Sequence, residues 1–207
     1  MYTPKAFLLK DTNEAFRFIQ RFNFGLLTSF GGHRPIATHL PFVVENSEPK
    51  SLTSHLASKN PHAELLHNKA EHLLIFSEPH AYISPRHYTH SQNVPTWNYV
   101  AVHVYGTVKI ICDFDEIMHH LENSIRFHEP EYMPQWQSIS EKYKHDLVKE
   151  LTAFSVEIKE IQATAKLSQN KSLEEIANIQ NALAKKPETN AQLTAEYMRK
   201  YCPSKPN

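Results

Sequence analysis

Hydrophobic and polar positions alternate most clearly between Asn93 and Ile111, in NVPTWNYVAVHVYGTVKII. Side chains two apart on a strand share a face. Val100, Val102 and Val104 therefore make an aliphatic face, and Trp97, Tyr99, Ala101, His103 and Tyr105 an aromatic one that carries an imidazole. The aromatic face suits either a planar ligand or a packing partner. A proline turn at Pro95 opens the strand.

The same reading predicts further strands over 24–30 (FGLLTSF), 35–44 (PIATHLPFVV), 51–56 (SLTSHL), 72–76 (HLLIF) and 154–163 (FSVEIKEIQA). Helices are expected over 11–22, 60–70, 113–127, 140–152, 172–184 and 191–201. Three of these open on capping pairs, Asp11 with Glu14, Asp113 with Glu116 and Ser172 with Glu175. NSEPK reads as a turn, and residues 81–97 and 128–139 as long loops broken by proline. The CPSKPN tail is expected to fray. The first three strands follow one another without crossover helices, so mostly antiparallel pairing is expected and a Rossmann fold is not. An α+β barrel or sandwich results, with helices inserted and trailing.

At 207 residues the chain has room for a sizeable core. Its 22 Lys+Arg and 22 Asp+Glu balance, so no long-range field draws it to nucleic acid or an anionic membrane. The first residues lack the apolar core of a signal peptide, and no run is long enough to span a bilayer. With only two cysteines and no disulfide framework, a cytoplasmic location is expected. Cys112 is expected to be buried rather than reactive. With only 4 glycines, neither GxGxxG nor a P-loop is present, so any phosphate must be held by side chains. The 14 histidines are scattered and lack zinc-ligand spacing, so no metal site is expected.

Three groups of residues carry candidate chemistry. Thr38-His39 and Ser54-His55 each set a hydroxyl beside an imidazole on neighbouring strands, with Lys59 just downstream. Such groups either bind a phosphate or satisfy local hydrogen bonds. Arg86, His87 and Tyr88, in SPRHY, lie on a long loop that is either a lid over a planar ligand or solvated chain with one anchoring aromatic. The guanidinium fork of Arg86 makes it the best single candidate for an anion contact. Lys166, Ser168, Gln169 and Asn170, in KLSQNK, offer donors for a flavin or pyrimidine-like edge, or simply form a linker.

MYTPKAF, THLPF, SHLASKNPH, EPHAYISPRHY, VPTWNYVAVHVYG and KLSQNK occur in the order found in the PaiB family of FMN-binding negative transcriptional regulators, which the chain resembles from Met1 to about Ala184. The resemblance implies a mainly antiparallel split β-barrel like that of pyridoxamine-phosphate oxidases. It also implies a homodimer with FMN at the subunit interface. On this basis residues 1–170 form the FMN-binding barrel domain, and residues 171–207 a helical extension packed on it. Thr38, His39, Ser54, His55 and Lys59 become candidates for the phosphate and ribityl chain, with lysine at 59 where many relatives are expected to have arginine. Trp97, Asn98 and His103 would line the cleft, joined by Lys166, Ser168, Gln169 and Asn170. An enzymatic role would be that of an FMN-dependent oxidoreductase. Two alternatives stand beside this reading, a direct DNA-binding repressor without flavin and a haem-binding or haem-degrading protein on the same barrel. The one helix suited to DNA, SLEEIANIQNALAKK, starts acidic and presents a neutral face.

Overall fold

Strands β2 (Pro35–Pro41) and β3 (Val43–Val44) are separated in the chain by Phe42 alone, yet they stand at opposite ends of one sheet. The computed structural model describes residues 1–45 and 48–202. Its seven-stranded sheet runs β2, β1 (Phe24–Phe30), β5 (Glu71–Ile83), β6 (Thr96–Ile111), β7 (Leu151–Lys166), β4 (Ser51–Ala57), β3. The chain divides into two compact units. The first holds residues 1–15, 77–102 and 162–207, and the second holds residues 16–76 and 103–161.

In the second unit, a one-residue link spans at most about 7 Å, so the two outermost strands must come together and the sheet closes on itself. β1 pairs antiparallel with β2 from Phe24↔Pro41 to Phe30↔Pro35, and β4 with β7 from Ser51↔Glu157 to Ala57↔Leu151. Phe42 is fully buried at the closure and packs edge-on against Phe76 and Phe154, with centroids 5.5 and 6.4 Å away. Its amide donates to the Asn23 carbonyl at 2.8 Å, and the Asn23 side chain donates back to the Phe42 carbonyl. At Gly106 any side chain would collide with the Glu157 carbonyl, so only glycine lets these strands approach. Helices α3 (Phe114–His128), α4 (Met133–Ser138) and α5 (Glu141–Lys149) pack around Ile117, Leu121 and Trp136.

In the first unit, α6 (Leu173–Ala184) starts on the expected capping box, in which Ser172 and Glu175 bond each other's backbone. It packs with α7 (Thr189–Tyr201) through Ile176, Ile179, Leu183, Ala195 and Met198, all buried. The lead strand joins this unit where the Leu9 amide donates to the Ala163 carbonyl.

Several expected boundaries shift. β5 continues from the predicted 72–76 to Ile83, which absorbs the start of the predicted 81–97 loop. Its buried positions pass from His72, Leu74 and Phe76 to Pro79, Ala81 and Ile83, so the alternation slips by one residue and then resumes. The strand predicted over 35–44 breaks at Phe42, which turns inward. The helix predicted over 60–70 shortens to α2 (His62–Leu65), and the 128–139 loop contains α4. Cys112 is exposed, not buried, because β6 ends at Ile111 where its side chains are already half-exposed. Asn46 and Ser47 of the expected turn, and 203–207 of the expected frayed tail, lie outside the described residues.

Phe42→Ala should cost about 3–5 kcal/mol of stability, because the removed ring leaves a cavity where the sheet closes. Phe24→Ala, at a position 67% exposed, should stay within about 0.5 kcal/mol. Urea unfolding of both variants checks the contrast.

Candidate functional site

In the first unit, residues from four separate segments surround a cavity of about 270 Å³. Phe7 comes from the lead, Tyr88, Asn93 and Val94 from the loop after β5, Thr96 and Asn98 from β6, and Lys166, Ser168, Asn170 and Lys171 from the end of β7. Strand alternation explains why Thr96 and Asn98 share this wall, since they precede Val100, Val102 and Val104 on one face. Asn98 is fully buried, and its amide donates to Ser168 Oγ at 3.0 Å while that hydroxyl donates back to Asn98 Oδ1 at 3.1 Å. Ser168 adopts a left-handed conformation with φ of 66°, uncommon for a residue with a side chain. The reciprocal pair with Asn98 holds it there and so fixes where Lys166, Asn170 and Lys171 project.

Lys166 Nζ donates to Thr96 Oγ1 at 2.7 Å, and Lys171 Nζ to Asn93 Oδ1 at 3.0 Å. The Lys171 ammonium also lies 4.0 Å from the centre of the Tyr88 ring. Among the described residues neither lysine forms an ion pair. Glu175 accepts from the Thr89 amide and hydroxyl and from the Ser172 amide, and these bonds, the Thr89 amide foremost, hold its carboxyl below the usual range. Gln169 turns away from the cavity and bonds the loop's own backbone at Leu167 and Ala165.

Trp97 and Asn98 are neighbours on β6 and so face opposite ways. Trp97, 52% exposed, joins His80 and Tyr82 of β5, with ring centroids 5.9 and 6.1 Å away. They border a second hollow of about 320 Å³ that Lys186, Glu188 and Asn190 also line. The two residues expected to line one cleft thus line different hollows. Arg86 is exposed, and its amide donates to Ser84 Oγ; from the same loop Tyr88 reaches the first cavity.

The strand candidates and His103 belong to the second unit. Thr38 Oγ1 lies 2.8 Å from His62 Nδ1, His62 Nε2 lies 2.6 Å from Ser29 Oγ, and that hydroxyl lies 2.5 Å from His72 Nδ1. Ser29 has one proton, so it donates to one ring and accepts from the other. If His72 Nδ1 and His62 Nδ1 carry the protons, both of these ring N–H groups are satisfied and His72 Nε2, which has no partner, is a bare lone pair. Ser54, buried, donates to the Pro41 carbonyl at 2.7 Å. His55 Nδ1 lies 3.0 Å from Nε2 of buried His120. Lys59 forms an exposed ion pair with Glu150 at 3.3 Å, and His39 is exposed and stacks on Phe24. His103 is half-buried with Nδ1 unpartnered, and burial lowers its pKa.

Four of the expected residues therefore meet at the first cavity: Asn98, Lys166, Ser168 and Asn170. Asn93, Thr96 and Lys171 were not singled out in the sequence as site residues, and Tyr88 only as part of the candidate lid. Thr96 was legible from alternation with Asn98, and Lys171 as the second cation of KLSQNK. Tyr88 and Asn93 sit in irregular chain, where no periodicity marks direction.

The closed sheet with its helices is a split β-barrel. The chain belongs to the family described as "Putative FMN-binding domain", whose profile matches residues 1–160, and FMN is the cofactor that this family implies. It is 33% identical over 201 residues to the "Protease synthase and sporulation protein PAI 2" of Bacillus subtilis, which makes it a PaiB relative, with 96% of each chain covered. Its fold is similar to the FAD and heme binding protein from Mycobacterium smegmatis, at 13% identity and a TM-score of 0.62, over 75% of this chain and 71% of that one. It is equally similar to the flavocytochrome Anf3 from Azotobacter vinelandii, at 15% identity and a TM-score of 0.62, over 75% and 67%. At these identities the likeness is one of fold. Among the described residues no helix is long and apolar enough to cross a membrane.

Burial holds His55, His62, His72 and His120 below the usual imidazole value, with His120 lowered to about 4 and the neighbouring His55 and His119 contributing. Below pH about 6.5 the unfolded chain thus binds more protons than the folded one. The stability these groups contribute is complete above that pH and is lost as pH falls through the folded values. The thermal midpoint should drop between pH 7 and pH 4, and His120→Leu should flatten that slope. An unchanged slope in the variant would remove His120 from this account.

Proposed function

We propose that this chain binds FMN and acts, in the PaiB manner, as a negative regulator of transcription, working as a homodimer with its cofactor where the subunits meet. The observation that carries the flavin reading is the convergence on one cavity of residues from MYTPKAF, SPRHY, VPTWNY and KLSQNK, four of the segments shared with that family. The donor set fits the cofactor. Two ammonium groups free of ion pairs suit a phosphate, amides and hydroxyls suit the polar edge of a flavin ring, and Phe7, Tyr88 and Val94 supply apolar wall. When bound, FMN supplies hydride or electron transfer. Asn98, Ser168 and Asn170 would bind and orient the cofactor.

For the phosphate and ribityl chain two sets compete. Thr38, His39, Ser54, His55 and Lys59 form one, but Thr38, Ser54 and His55 already have partners within the fold and Lys59 sits at the surface with Glu150. Lys166 and Lys171 form the other. Regulation is read as acting through the flavin-bearing protein rather than through direct DNA contact, because the charge is balanced and α6 begins with Glu174 and Glu175.

The purified chain should take up one FMN per subunit and show the visible bands of oxidised flavin. Asn98→Leu, which breaks the pair with Ser168, should weaken FMN at least tenfold, about 1.4 kcal/mol. A chain that stays colourless after incubation with FMN contradicts the proposal, and a Soret band on isolation supports the haem alternative.

A further inference from the structure

The two lysines of the first cavity are unusual in how their charge is left. A half-buried lysine ordinarily reaches for water or a carboxylate. Lys166 and Lys171 instead bend onto neutral oxygens, those of Thr96 and Asn93. Each ammonium has three donors, and each gives one to these partners. No carboxylate lines the cavity; Glu175, just outside it, is held by Thr89 and Ser172 and feels the Lys171 charge without pairing with it. The cations are also positioned by more than their own bonds. The Asn98–Ser168 pair locks the turn between them, and Tyr88 lies against Lys171. A preset pair of cations with donors to spare, walled by Phe7 and Val94, is complementary to a compact, doubly charged oxyanion.

We propose that Lys166 and Lys171 form an oxyanion site that takes the phosphate group of a small-molecule ligand. Two sources share this chemistry, the phosphate of the FMN cofactor and a phosphate substituent on a second ligand. The first source rests on the flavin reading above; the second does not.

The test uses the full chain with Lys166→Gln and Lys171→Gln combined, and the corresponding Arg pair to restore charge. FMN and riboflavin, which differ by the phosphate, are titrated, and inorganic phosphate is titrated calorimetrically into both FMN-loaded and flavin-free protein. If the site holds the cofactor's phosphate, wild type prefers FMN, the Gln pair loses that preference at least tenfold with riboflavin affinity unchanged, and the Arg pair recovers it. If it serves a second ligand, the FMN preference survives, and FMN-loaded wild type binds inorganic phosphate where the Gln pair does not. Gln-pair protein that melts like wild type, keeps the FMN preference and binds inorganic phosphate as wild type does overturns the proposal. So does failure of wild type to bind inorganic phosphate in either form while the FMN preference persists in the Gln pair. Loss of the preference in His55→Ala with Lys59→Ala, but not in the Gln pair, gives the cofactor's phosphate to the strands and leaves the calorimetry to decide. Should wild type bind no flavin, the FMN reading fails while inorganic phosphate binding to the flavin-free chain still reports on the site.

Discussion

A single residue, Phe42, joins strands from opposite ends of the sheet, and this link compels the barrel. With only about 7 Å of chain available, the ends can meet only if the sheet bends fully round. The ring that occupies the link is then enclosed, and Phe76 and Phe154 pack against it from β5 and β7. Ser54 secures the same corner by donating to the Pro41 carbonyl. Closure therefore explains why a residue read as a phosphate ligand also has a structural task. It also explains why glycine is required at position 106, where β6 meets the Glu157 carbonyl too closely for any Cβ.

β6 carries the candidate chemistry because its alternation separates two environments. Toward one side, Val100, Val102 and Val104 continue a line that begins with Thr96 and Asn98, so the polar cavity is the open end of an aliphatic face. Toward the other side Trp97 stands with His80 and Tyr82. Asn98 is the hinge of the site. Its amide is satisfied by Ser168 and by Met198 Sδ, which allows a buried polar side chain at little cost, and the Ser168 pair holds a left-handed turn in place. Through that turn the cations of KLSQNK face a common space.

Much of this was legible in the sequence. β1 matches the predicted range, and β4 extends it by one residue; short runs of alternating side chains between Gly, Asn and Pro signals define both. The capping box at Ser172 and Glu175 formed as read. β5 was cut short because Pro79 and the aromatic residues after it look like loop, although Ala81 and Ile83 keep the alternation. Within the cavity Asn98, Lys166, Ser168 and Asn170 were anticipated, partly from residue chemistry and partly from family resemblance. The family resemblance puts Trp97 and Asn98 in one cleft, while the period of two sends them apart. Gln169 was grouped with its neighbours by composition, but a turn must satisfy its own backbone, and its amide does that work. For Tyr88 only its place on the candidate lid was legible, and Asn93 was out of reach, because side-chain direction in irregular chain depends on tertiary packing.

The central claim is that the cavity beside Asn98 receives the cofactor, and hydrogen exchange with and without FMN tests it most directly. The account predicts slower exchange of backbone amides over 93–98 and 166–171 when FMN is bound, with β2 and β4 unchanged. Protection confined to β2 and β4, with 166–171 exchanging as before, would contradict it.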